Sequence, residues 1–308
     1  MKKIALFSAL ILTLTGCNII SHDTKDVAAD RIARPAFMVD RMIKTDMFEL
    51  KAWERMHTRY APATIYIEGD GKHWEKDVDI AHRWFDQGNT PANPVGLHLA
   101  SRDLSANLGY LARPCQYIYN PEEKGCTALY WGSRRYSRDV VNSYHQALDE
   151  MKARYNLTDI HLVGFDGGAV IASYLAAERK DIKSLRTVAG VLNHSFITAE
   201  RGLDPLTGSL NPIEIAPQLA TIPQIHFIGG ADEMVTPGVY HSFRQAMGLS
   251  DCIHYSMVQD ASHYLGWVDK WPDLLKIQPS CRYGAPADFD ASAHRAMHNK
   301  GMKKGYSK

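Results

Sequence analysis

"LVGFDGGAV", residues 162–170, is an apolar run that breaks at closely set glycines and continues into the helical pattern GAVIASYLAAER. A strand, a sharp corner and a helix are the context that the motif G-x-Nuc-x-G requires. Gly164 to Gly168 match its spacing, and Asp166 takes the corner. Gly164 and Gly168 leave room for strand and helix to pack closely, and Gly167 places its backbone N–H at the helix N-terminus, where an oxyanion would be held.

Outward from this corner the chain alternates short apolar runs with helical patterns. FELKAW alternates apolar and polar residues as a half-buried strand does, and ATIYIEG is rich in β-branched and aromatic residues. VGLHLA reads as a further strand, SRDVVNSYHQALDEMKARY as a helix, and IHLVG, LRTVAGV, PQIHFIGG and CIHYSMV as strands, with a helix near 240. Such alternation predicts a mostly parallel sheet with helices on both faces and ligands at the carboxyl ends of the strands.

Two more residues fall where a triad needs them. Asp232, in GGADEMVTP, stands just beyond a strand end, and His263, in QDASHYLGW, follows the last strand. The order nucleophile, acid, histidine is that of the α/β-hydrolase fold, with a small insertion, between His194 and Ile222, ahead of the acid's strand. A lone Asp after a strand is usually a helix cap and a lone loop His a surface residue; their joint order reverses that reading. EGDGKHW (68–74) leaves an early strand through two glycines, so Gly69, Asp70 and Gly71, with Gly167, are the expected oxyanion donors.

The N-terminus has its own reading. Lys2 and Lys3 lead into IALFSALILTL, too short to span a bilayer, and predict a secretory signal over residues 1–16. Leu14, Thr15, Gly16 and Cys17 resemble the lipobox of bacterial lipoproteins, which implies acylation of Cys17 and a lipid anchor. Residues 17–45 then read as the lipidated cysteine and a polar tether, 46–282 as the folded domain, and 283–308 as a polar, basic tail. In that tail His294 and His298 have helical i, i+4 spacing but read as solvated. Roughly 290 mature residues, 45% hydrophobic overall, suffice for one core.

Loss of Lys2 and Lys3 takes the formal charge from +1 to −1, which leaves no basic excess for nucleic acid. Export exposes Cys115, Cys126, Cys252 and Cys281 to an oxidising compartment and predicts two disulfides. Of three connectivities, Cys115–Cys126 and Cys252–Cys281 are favoured because each closes a local loop. No CxxC spacing, metal cluster or phosphate loop points to a metal or cofactor.

YIEGDG, NPVGLHLA, LARPCQY, the later Cys126 and RYS, TVAGVLNH, PLTGSLNP and ASHYLGW resemble a family of α/β-hydrolase-fold lipoproteins of Gram-negative bacteria, over about Phe48 to Trp271. The resemblance implies a cell-envelope location, a small insertion rather than a large lid, and a serine-type triad at a GYSGG elbow. Asp232 and His263 match that triad, whereas Phe165-Asp166 stands in place of Tyr-Ser. Arg135 and Tyr136 read as scaffold beside the Cys115–Cys126 loop, with Arg135 also suited to an anionic group.

The substitution changes the chemistry. A carboxylate, with a reference pKa of about 3.9, needs no base to attack. On an ordinary ester, however, it would form an anhydride and have to expel an alkoxide, which makes esterase chemistry unfavourable. Carboxylates suit displacement at carbon, as in haloalkane dehalogenases and epoxide hydrolases, where an alkyl-enzyme ester forms and histidine activates water to cleave it. Those enzymes also need leaving-group donors; here Gly167 follows the nucleophile and the insertion lacks Tyr and Trp, leaving Trp74, Trp267 and Tyr264 as candidates. A third route has Asp166 or His263 activate water directly. The sequence thus supports two functions: an envelope hydrolase acting on a small molecule through Asp166, His263 and Asp232, or a silenced serine-hydrolase scaffold that binds a partner.

Overall fold

A computed structural model describes residues 20–71, 90–118 and 125–281. The signal, Cys17, Trp74 and the tail with His294 and His298 lie outside these residues. Among the described residues no helix is long and apolar enough to cross a membrane.

The strands are β1 (Val39–Lys44), β2 (Glu49–Met56), β3 (Ala63–Ile67), β4 (Asn107–Leu111), β5 (Ile160–Phe165), β6 (Ile182–Val188), β7 (Gln224–Gly229) and β8 (Ile253–Val258). They form one sheet in the order β1-β2-β4-β3-β5-β6-β7-β8. β2 runs antiparallel to both β1 and β4, and the remaining pairs are parallel.

Side-chain alternation divides the sheet into two cores. On β3, Ile65 and Ile67 join one apolar cluster and Tyr66 the other; on β5, Leu162 faces the first and Val163 and Phe165 the second. The first cluster is closed by α3 (Arg138–Tyr155), α4 (Gly168–Glu178) and α7 (Pro237–Met247), through Tyr144, Leu148, Ile171, Leu175 and Phe243. The second is closed by α1 (Ile20–Ala33), α2 (Val95–Arg102) and α8 (Trp271–Leu274), through Ala29, Ala33, Leu97, Leu99 and Trp271. With both faces covered, β5 and β7 are buried at nearly every position. The insertion before β7 carries α5 (His194–Arg201) and the single turn α6 (Pro212–Ile215).

Two sequence expectations are corrected. VGLHLA is not a strand: α2 begins there, just after Pro94, and the strand of this region is β4. Short apolar runs fit either structure, and a tertiary contact decided this one: the Glu68 carboxylate accepts the N–H groups of Gly96 and Leu97, at 3.1 and 3.3 Å, at the positive end of the helix. Nor is the segment to residue 45 simply a tether, since it holds α1 and β1. All side chains of β1 but that of Ile43 are exposed because it is the edge strand, three of them charged, and ion pairs Arg41–Glu54 and Lys51–Asp40 fasten it to β2. The helix α1 is fixed by buried Ala29 and Ala33 and by the Trp53 indole donating to Asp30 at 3.0 Å.

Both favoured cysteine pairs are disulfides, Cys115–Cys126 and Cys252–Cys281.

Candidate active site

Asp166 sits between β5 and α4 with φ +47°, the left-handed region that a non-glycine residue rarely adopts. The corner is over-determined by hydrogen bonds. Its N–H donates to Val188 O at 3.0 Å, and its carbonyl accepts from Ala169 and Val191 at 3.1 and 3.0 Å. Close approach also requires the neighbouring glycines: a Cβ on Gly164 would lie 2.6 Å from Ala169 N, and one on Gly168 would run into Ile67 O. The elbow is therefore present in backbone geometry as well as in spacing.

Three elements bring the triad positions together. Asp232, in the loop after β7, is fixed by Met234 and Val235, whose N–H groups each donate to Oδ1 at 2.8 Å. Its Oδ2 lies 3.0 Å from His263 Nδ1. On the other side of the ring, His263 Nε2 is 3.3 Å from Asp166 Oδ1, an ion-pair contact without the alignment of a hydrogen bond. Asp166 and His263 are 0% and 3% exposed, so their charges interact with little screening by water.

Burial alone would lower the His263 pKa, but the Asp166 charge and the contacts with Asp166 and Asp232 reverse this and push it up to about 9. Burial would likewise raise the Asp166 carboxyl; the His263 charge, with hydrogen bonds from the N–H groups of Asp70 and Gly167, holds it below the usual carboxylate value. The contacts with Asp166 and Asp232 thus favour the charged form of the His263 ring.

The oxyanion donors are only partly those expected. Asp70 N–H donates to Asp166 Oδ2 at 2.8 Å, and Gly167 also hydrogen bonds to the carboxylate. Gly69 does not serve, because its N–H is taken by Glu68 Oε1 at 2.9 Å, and Gly71 contributes its carbonyl, which accepts from Tyr264 OH at 2.8 Å. Oδ2 of Asp166 thus occupies the place of an oxyanion, while Oδ1 has no hydrogen-bond partner and faces the imidazole.

A buried polar scaffold holds that loop, and most of it escaped sequence reasoning. Asp70 pairs with Arg113 and accepts from Tyr136 OH, with Arg135 Nη1 3.7 Å away. Burial raises the Asp70 carboxyl, and Arg113 opposes the shift. Gln116 donates to Gly69 O at 3.1 Å. Glu68 accepts from Gly69, Gly96, Leu97 and, at 2.9 Å, Tyr110 OH; burial brings its pKa to about 7. The runs YIEGDG and LARPCQY contain Glu68, Gly69, Asp70, Arg113 and Gln116, but nothing in their spacing shows that they meet. Of the leaving-group candidates, Tyr264 is engaged with Gly71, and Trp267 Nε1 donates to the carbonyls of Ser262 and His263 at 2.8 and 3.1 Å.

Strand order, elbow and acid–histidine loops define an α/β-hydrolase fold. No protein-family model matches the chain, and no curated protein matches it. Solved structures do. An esterase from Pyrococcus furiosus superposes with TM-score 0.53 at 13% identity, over 79% of this chain and 91% of that one. A membrane phospholipase A described as a bacterial virulence factor gives TM-score 0.52 at 11% identity, over 93% of this chain and 94% of that one. An Agrobacterium tumefaciens protein of unknown function, assigned to the α/β hydrolases, gives 0.51 at 12%, over 88% and 100%. At these identities the likeness is one of fold.

Proposed function

We propose that this chain is a lipid-anchored α/β hydrolase of the Gram-negative cell envelope, held to the membrane through Cys17, that uses Asp166 as a carboxylate nucleophile at carbon. The observation that carries the reading is the division of labour within one carboxylate: Oδ2 held by the Asp70 N–H, Oδ1 left without a donor beside His263. In the first step Oδ1 would attack the carbon of an alkyl halide or an epoxide to form an alkyl ester, breaking the carbon–halogen bond with release of halide to solvent, or the epoxide C–O bond with the freed oxygen taking a proton from His263 or solvent. Oδ2 would then be the ester carbonyl, already seated against the Asp70 N–H.

Esterification removes one of the two negative charges that keep His263 protonated. Its proton affinity then falls, it releases its proton to solvent, and it becomes the base that activates water, with Asp232 holding Nδ1. Water attacks the Asp166 carbonyl carbon, the oxyanion forms at Oδ2, and the alcohol leaves. The resting charge on His263 is consistent with this cycle.

A silenced serine-hydrolase scaffold is the second reading, favoured by one observation: Tyr264 OH and Trp267 Nε1, the described candidates for assisting a leaving group, already serve backbone carbonyls. One panel separates the two. The purified mature chain, Asp166→Ala and Asp166→Ser would be assayed against haloalkanes, epoxides and aryl esters. Turnover of a halide or epoxide that is lost in Asp166→Ala supports the nucleophile. Inert parent and Asp166→Ala chains, with aryl ester cleavage by Asp166→Ser, would establish the silenced scaffold.

A further inference from the structure

The sheet has a second concavity at the end away from the elbow. At the amino ends of β3, β4 and β5 a cavity of about 600 Å³ is walled in part by Asn107, His161, Arg186 and Gln278. β5 runs from this wall to the elbow, so its six residues separate cavity and Asp166 by roughly 20 Å. The volume falls within the range of roughly 300–1,000 Å³ usual for small-molecule sites.

Arg186 is the cation of this wall, and it is 6% exposed. Its Nη2 donates to Gln278 Oε1 at 3.0 Å and reaches Ile277 O at 3.5 Å, whereas Nε has no hydrogen-bond partner. No carboxylate among the described residues forms an ion pair with it. Asp103 shares the wall, but its oxygens are spoken for: Oδ1 accepts from Ser105 N and Oγ at 2.8 and 2.6 Å, and Oδ2 from Tyr66 OH at 2.7 Å. His161 is bound through Nδ1 to Ser184 Oγ at 2.8 Å, and burial, with Arg186 nearby, lowers its pKa, so it adds no charge at neutral pH. Asn107 is fully used, accepting from His57 and Thr58 and donating to the carbonyls of Thr58 and Pro62. A buried guanidinium whose Nε has no acceptor, with the Asp103 carboxylate of the same wall acting on it only through space, is unfavourable unless a further acceptor completes its fork. The Cys252–Cys281 disulfide anchors the segment that brings Leu275 and Gln278 to the wall.

We propose that this cavity binds a small organic molecule carrying one oxyanion group, a carboxylate or a phosphate monoester, whose oxygens pair with the fork of Arg186. The site is separate from the triad, and its occupancy is read without turnover.

Calorimetric titration of the full mature chain with benzoate, phenyl phosphate and neutral benzyl alcohol tests it. Benzoate is a monoanion and phenyl phosphate, with a second pKa of about 6, is largely a dianion at neutral pH, so the tighter of them identifies the head group and charge that the site takes. Saturable binding of at least one anion, and not of benzyl alcohol, is expected. Arg186→Gln should weaken it by about tenfold or more. Ala106→Trp, at an exposed residue of the cavity wall, should do the same with Arg186 intact, and decides the matter if Arg186→Gln does not fold. Asp166→Ala should bind like the parent. Absence of binding up to roughly 10 mM, binding indifferent to both wall variants, or binding lost in Asp166→Ala would overturn the proposal.

Discussion

The backbone N–H of Asp70 donates to the side chain of Asp166 at 2.8 Å, so the loop that would hold an oxyanion is closed on the carboxylate at the elbow. Esterification would turn the bound oxygen into a carbonyl without moving it. His263→Gln should therefore stop the cycle after alkylation. Incubation with a haloalkane or epoxide substrate should leave an added mass on the peptide containing Asp166, detectable by mass spectrometry and absent from the double variant with Asp166→Ala.

The charge on His263 has a consequence for stability. Its folded pKa of about 9 lies above the reference value of about 6.5. Its contribution is thus fully present below pH 6.5 and lost as pH rises through 9, on the order of 3 kcal/mol at most. Urea denaturation of the parent should show stability falling between pH 7 and 9.5. Glu68, with its pKa of about 7, acts mainly below this window. Asp166→Ala should flatten the slope, and an unchanged slope would show that Asp166 does not hold the proton on His263.

Arg113 and Asp70 are both buried and mutually dependent. Arg113→Ala would strand the Asp70 carboxylate and should cost about 3–5 kcal/mol in denaturant unfolding. Arg113→Ala with Asp70→Ala should recover part of that loss, because neither charge is then left unpaired. Independent, additive losses would argue against the coupling.

The Cys115–Cys126 disulfide closes a short loop next to Gln116, which holds Gly69. Replacing both cysteines by alanine should lower stability by about 2–4 kcal/mol. The accompanying loosening of the oxyanion loop should appear as faster amide exchange at Gly69 and Asp70. Exchange confined to residues around 115–126 would limit the disulfide to local support.

Much of the fold was legible in order and period: the apolar runs of β5, β6 and β7, the long amphipathic α3, the glycine corner, and Asp232 and His263 each just past a strand. These signals are local, because a strand end or tight turn is written in a few adjacent residues. VGLHLA was not legible, since eight residues of mixed propensity became helical through Glu68, far away in sequence. The strand β1 was obscured for a related reason: as the edge strand it shows water five of its six side chains, three of them charged, and so looks like a tether.

By itself the sequence determined the layered α/β architecture, the elbow with aspartate at its corner, and the placing of Asp232 and His263 each just past a strand, since each rests on spacing and residue type within one segment. Only the tertiary structure decided which oxygen of Asp166 is held and which is left open. It alone decided that His263 lies between the carboxylates of Asp166 and Asp232, which raise its pKa, that Asp70 is locked by Arg113 and Tyr136, and that Arg186 lines a cavity with its Nε unpartnered. Those properties depend on distances of about 3 Å between groups many residues apart and on their shared removal from water, and burial and Coulomb energy are functions of position rather than of sequence order.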